Sequence, residues 1–226
     1  MKKLMLFLVL VFPFHEYERD MAKMVTYLKT EKDTIIQISN TSTADAREAV
    51  SIVFPELIRW SAFQDYLETS SNAILYVQKG KETCDLSIGH FQMRPSFIEQ
   101  LEEFIENNKS LYYLNYVIIK APTEKEKREI RIARLQQFTW QLRYAHIFWL
   151  VAQEKFKNRK FINPEERIRF YATAYNHGFL KPESDIEKWE HKAFFPHGVK
   201  YKGNQVCYSN LAVEFYDKYS KAIDFR

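Results

Sequence analysis

Asn163-Pro-Glu-Glu-Arg-Ile-Arg-Phe-Tyr-Ala-Thr-Ala-Tyr-Asn-His-Gly178 spells out one complete helix, with its start and its stop both written in residue type. Asn163 is a natural N-cap, because its side-chain oxygen can accept one of the amide protons that the first turn leaves unpaired. Pro164 suits the first helical position, where a missing N–H costs nothing, and Glu166 adds negative charge to the first turn. Gly178 tolerates the left-handed backbone that ends a helix.

The same punctuation recurs outward from this stretch. Thr123 with Glu126 marks the start of a long helix carrying Ile130, Leu135, Phe138, Leu142, Ala145, Phe148 and Val151 inward, toward about residue 158. Ser96 with Glu99 makes a similar box for a helix reaching about Asn108, with Phe97, Leu101, Phe104 and Ile105 inward. Nearer the start, a helix begins around Thr41 to Thr43, and Ala46, Ala49, Val50, Val53 and Leu57 lie on one stripe. Pro55 should kink or restart it. A last helix runs from about Ser209 to Ala222. Residues 73–93, with Ala73-Ile-Leu-Tyr-Val and then Gly80, read as an irregular or short β insert. The fold class is therefore mainly α, a helical domain with a small irregular or β insert.

Composition agrees with a packed helical chain: 46% hydrophobic, 16% aromatic, and only 5 Gly and 7 Pro among 226 residues. The balance of 33 basic against 29 acidic residues leaves a net charge of +4, spread along the chain. That surplus is too weak and scattered for a nucleic-acid partner and suits an anionic polymer. Met1-Lys2-Lys3 followed by the apolar run Leu4–Phe12 has the form of an export signal, so residues 1–15 are expected to be a leader and 16–226 one monomeric domain. The run is far short of the roughly 20 residues that span a bilayer, so no integral membrane span is expected. Glu16 to Asn40 reads as a short helix and a connector. Cys84 and Cys207 either pair in an oxidising compartment or remain separate thiols. The six histidines show no ligand spacing, so no metal and no cofactor is expected.

Three segments carry chemistry. In Ser51-Ile-Val-Phe-Pro-Glu-Leu-Ile-Arg-Trp60, Glu56 falls over the apolar stripe, where lost hydration disfavours its charged form and raises its pKa. That is what a general acid needs at neutral pH; the bland alternative is a helix-edge ion pair with Arg59. In Asp85-Leu-Ser-Ile-Gly-His-Phe-Gln-Met-Arg-Pro-Ser96, Gly89 permits close backbone approach and Gln92 offers a donor and an acceptor for sugar groups. In Ala172-Thr-Ala-Tyr-Asn-His-Gly178, Tyr175 and Asn176 end a capped helix just before its stop.

Gly89-His-Phe-Gln-Met-Arg-Pro95 resembles the Gly-Leu-Met-Gln-x-Met-Pro motif of soluble lytic transglycosylases, and Ala174-Tyr-Asn-His-Gly178 resembles their Ala-Tyr-Asn-Ala-Gly motif. The two stand in the family's order, behind a Glu-bearing helix, and the resemblance covers about residues 44–178, leaving 179–226 as a helical extension. It implies an α+β lysozyme-like fold, shared with goose-type lysozymes, and cleavage of the β-1,4 bond between N-acetylmuramic acid and N-acetylglucosamine in peptidoglycan. It implies that Glu56 is the acid/base, that Ser87, Gly89, Gln92 and Met93 line the glycan cleft, and that Tyr175 and Asn176 contact the sugar beside the acid. The partner would be peptidoglycan glycan strands, and the compartment the periplasm or cell envelope.

Departures from the family keep a second acid in view. Glu56 is followed by Leu57 where the family has Ser, whereas Glu68-Thr-Ser-Ser-Asn72 looks more like its Glu-Ser-x-x-Asn string and stands closer to Gly89. Glu56 is preferred because its apolar setting explains a raised pKa. Asp85 is a candidate base on water, as an inverting hydrolase requires, or simply a turn former. The rival readings are a catalytically silent glycan-binding or scaffold protein on the same fold, and a helical interaction protein.

Overall fold

The computed structural model describes residues 18–62, 66–200, 205–223 and 225, with the side chains of 61–72 left aside. The expected leader, residues 1–15, lies outside these residues. The chain is mainly helical, as its punctuation predicts. Helix α1 covers 18–30 and α2 Lys32–Ser39, followed by α3 (Ala46–Ala62), α4 (Tyr66–Lys79), α5 (Pro95–Glu106) and a 3-10 segment at Lys109–Val117. Then come α6 (Glu124–Leu135), α7 (Phe138–Lys155), α8 (Pro164–His177), α9 (Glu183–Trp189) and α10 (Tyr208–Glu214). The last runs on through a π turn at Phe215–Tyr219 and a 3-10 turn at Ser220–Ala222. No helix of the described residues is long and apolar enough to cross a membrane.

Helices α3 and α7 form the centre. Between Gln141 and Ala152 only Arg143 of α7 escapes burial, which marks a helix surrounded by others rather than one lying on a surface. Helix α3 packs against α7, α8 and α10, and Ile52, Val53, Phe54 and Leu57 are fully enclosed. Phe54 stacks on Phe215 at 3.8 Å between ring centroids, so the C-terminal segment closes over α3. One connected cluster of buried apolar side chains reaches from Met21 in α1 to Ile223.

Caps read from the sequence set the starts of α6 and α8 and the end of α8. Asn163 Oδ1 accepts the Glu166 amide at 2.8 Å, Thr123 Oγ1 accepts that of Glu126 at 3.2 Å, and Gly178 sits at φ +115° where α8 stops. Three expectations are corrected. The Ser96–Glu99 box does not form: Arg94 occupies the cap position of α5 without a side-chain bond, Pro95 leads the helix, and Glu99 turns to Tyr76. Residues 73–79 belong to α4 and not to a β insert. Tyr76 is buried there, with its hydroxyl between Glu99 and Arg131, and this packing overrides the strand preference of Ile74 and Val77. The insert shrinks to a turn after Gly80 and one antiparallel bridge, Ile88 to Met93. Finally, the single long helix expected after Thr123 breaks between Leu135 and Phe138, where the Gln141 side-chain amide donates to the Leu135 carbonyl. Pro55, in contrast, is carried within α3. The two cysteines are separate thiols.

Candidate active site

Glu56 lies on α3 directly after Pro55 and is 5% exposed. Its nearest counter-charge is Arg59, whose Nη1 stands 3.6 Å from Oε2 one turn along the helix, too far for a hydrogen bond. Oε2 has no hydrogen-bond partner among the described residues. Burial without compensation pushes the carboxyl up to about 7, against the pull of Arg59 and Arg94. It is therefore an acid near neutrality, with one buried oxygen left without a hydrogen bond.

Two tyrosines from distant parts of the chain join it. Burial and the Glu56 charge raise the hydroxyls of Tyr175 on α8 and Tyr208 on α10 above the usual phenol range, so both lie within electrostatic reach of the carboxyl. Tyr208 donates to the Ile52 carbonyl at 3.2 Å. Pro55 leaves the Ser51 carbonyl, four residues back, without its amide, and Ile52 is the next carbonyl in the same turn. The phenol thus supports α3 immediately ahead of the acid.

The second wall is the turn between Ile88 and Met93. Their backbones pair at 3.0 and 3.1 Å, and the four residues between them reverse the chain with Gly89 at φ +70° and Gln92 at φ +49°. Gln141, fully buried on α7, holds the turn in place. It accepts the Phe91 amide at 2.6 Å and donates to the Ile88 carbonyl at 2.9 Å. A Cβ on Gly89 would overlap the Gln141 side chain and lie 2.8 Å from the Leu135 carbonyl, so only glycine fits. Tyr175 locks the turn from the other side, its hydroxyl donating to the Phe91 carbonyl at 2.8 Å.

Glu56, the Gly89 turn and Tyr175 are thereby brought together. The other expected site residues divide. Gln92 bends back, its Nε2 donating to the Gly89 carbonyl at 2.8 Å. Ser87 is half-buried and Asn176 exposed, whereas Met93 is buried in the core, 1% exposed, and serves to seat the turn. Asp85 caps α5: its two oxygens accept the Ser96 amide at 3.0 Å and the Ser96 hydroxyl at 2.6 Å, with Arg94 at 3.9 Å. The Glu68 side chain lies outside the described residues.

Sequence reasoning missed Gln141, Arg94, Tyr208 and a group of rings. Trp60, one turn beyond Glu56, lies 4.3 Å from the His90 ring, which Tyr27 stacks at 5.5 Å and Phe138 meets edge-on at 5.2 Å. All four rings are half-buried, and Trp60 ties the group to the helix that carries the acid. Gln141 had one visible signal: a polar residue within the inward stripe between Phe138 and Ala145. No protein-family model matches this chain, and neither a curated protein nor a solved structure matches it significantly.

Proposed function

We propose that this chain cleaves the β-1,4 bond between N-acetylmuramic acid and N-acetylglucosamine in peptidoglycan, with Glu56 as the general acid and base, on a lysozyme-like helical fold. One observation carries the reading: a buried carboxyl, held near a pKa of 7 with one oxygen unpartnered, lies within electrostatic reach of the Tyr175 hydroxyl, which itself holds the Gly89–Gln92 turn. Below that pH the neutral Glu56 donates its proton to the glycosidic oxygen as the bond to the anomeric carbon breaks. The resulting carboxylate then takes a proton from the incoming nucleophile, restoring the acid.

Two further features support it. The half-buried rings of Trp60, His90, Tyr27 and Phe138 offer an apolar and weakly polar face of the kind that sugar rings stack upon. Asp85, engaged by Ser96 and Arg94, is committed to capping, which disfavours it as a base on water. That points to attack by the C6 hydroxyl of the muramic acid itself, the lytic transglycosylase route, over an inverting hydrolysis. The substrate would place the protein in the periplasm or cell envelope.

The test is to incubate the purified protein with peptidoglycan sacculi and identify the released muropeptides by mass spectrometry. Anhydromuramic ends are expected, and Glu56→Gln should lower their release by about 10²–10⁴-fold while the protein stays folded. Near-wild-type release by Glu56→Gln, with loss in Glu68→Gln, would move the acid to Glu68.

A further inference from the structure

Two neighbouring segments give the molecule an apolar and basic face. In the 3-10 segment Lys109–Val117 side chains three apart lie in line, so Leu111, Leu114 and Val117 all turn inward. Tyr112, Tyr113 and Tyr116 are each left more than half exposed. The connection from α7 to α8, residues 156–163, runs beside this segment. Ser110 and Tyr113 from the one, with Lys157 and Phe161 from the other, wall a single cavity of about 480 Å³, and the Ser110 hydroxyl donates to Glu154 near the end of α7.

In that connection Ile162 is 92% exposed, more than any other large apolar side chain among the described residues. The fold holds it there. Its amide donates to Glu166 Oε2 at 2.7 Å, and the adjoining Phe161 packs on the rings of Phe170 and Tyr171. One exposed apolar residue is ordinary on a soluble surface, but several on adjoining segments mark a place of contact.

Charge selects the partner. Lys109 and Lys160 are exposed and have no ion-pair partner among the described residues. Lys157 shares Glu154 at 2.9 Å, the one carboxylate in 109–117 and 153–163, while Arg159 is taken up by Glu183 and Glu187. An isolated branched aliphatic tip offers a sugar ring no flat face to stack on. It does fit the acyl boundary of a bilayer, where tyrosines settle at headgroup depth and lysines reach lipid phosphates.

We infer that this face docks on an anionic lipid bilayer, with Ile162 entering the acyl boundary, Tyr113 and Tyr116 at the headgroups, and Lys109, Lys157 and Lys160 on the phosphates. The contact is peripheral and does not depend on what Glu56 does.

A fluorophore sensitive to its surroundings tests this when attached to Ile162→Cys in the full chain, with Cys84 replaced by Ser. On vesicles of equal parts phosphatidylglycerol and phosphatidylcholine its emission should shift to the blue. The same label at Ile74→Cys, an exposed position on α4, should not shift, nor should either label with pure phosphatidylcholine. In co-sedimentation, Ile162→Ser should weaken binding to the anionic vesicles by about tenfold and Lys160→Gln by about fivefold. Both side chains are exposed, so the variants should fold as wild type does. The label reports its own position, so attachment through another part of the chain would leave 162 in water. The inference is overturned by that result, by absence of binding, or by equal shifts at 74 and 162. A label at 162 that responds to peptidoglycan sacculi and not to vesicles would overturn it in favour of a glycan-holding face.

Discussion

Helix α3 buries two glutamates, Glu48 and Glu56, eight positions apart, and the chain treats them in opposite ways. Glu48, 1% exposed, is filled: Arg167 binds both of its oxygens and the Trp149 indole nitrogen donates at 3.0 Å. Glu56, 5% exposed, has one arginine at 3.6 Å and an oxygen without a hydrogen bond. Equal burial thus has two outcomes, decided by how many donors the fold brings to the carboxyl. Three donors make a strut that ties α3 to α7 and α8. A deficit of donors makes an acid that still holds its proton near pH 7, where it can be passed on.

The comparison breaks most readily at Glu48. Glu48→Ala strands the Arg167 guanidinium and the indole N–H, and a loss of about 3–5 kcal/mol in unfolding free energy is expected by urea titration. An unchanged midpoint would mean that the filled carboxyl is not a strut.

Glu56 should behave with the opposite sign, through pH. Its carboxyl goes from 4.5 in the unfolded chain to about 7 in the folded one, so the folded state holds the proton more tightly. The stability associated with the neutral form is fully present below the unfolded value and is lost as pH rises through about 7. Between pH of about 5 and about 8, wild type should lose about 2–3 kcal/mol relative to Glu56→Gln, which cannot ionise there. Parallel stability curves for the two proteins over this range would show that Glu56 is already ionised in the fold. Glycan cleavage by wild type should decline over the same upper limb, since only the neutral form is a proton donor.

The smallest effect sharpens the contrast with Asp85, a third carboxyl that is partly exposed and bound by Ser96. Asp85→Asn keeps one acceptor for the Ser96 amide and should cost about 1 kcal/mol, as a weakened cap does, measurable as a small fall in melting temperature. Muropeptide release should stay within a few-fold of wild type. A collapse of release with folding preserved would make Asp85 a base on water and the enzyme a hydrolase.

Much of this was legible along the chain because it is local. Asn163, Thr123 and Gly178 act on backbone groups within four residues of themselves, so their reading needs no knowledge of the fold. The apolar setting of Glu56 follows from the same short-range periodicity. The errors occur where a distant partner outweighs the local preference. Ile74-Leu75-Tyr76-Val77 has strand character, yet Tyr76 finds Glu99 and Arg131 and the segment stays helical. Ser96 and Glu99 have the right spacing for a capping box, but Asp85 claims the first and Tyr76 the second.

What the sequence determined by itself, then, is the helical class, both ends of α8 and the start of α6, and which carboxyl is deprived of water. Tertiary structure alone decided that Gln141, 50 positions from Phe91, would hold the Gly89 turn, and that Tyr175 would close it from another helix. It also decided that Glu48 would be filled and Glu56 left open. The physical reason is that capping and periodicity are satisfied within one turn of helix. The pairing of a buried polar group depends on which distant donors the packed core carries to within about 3 Å of it.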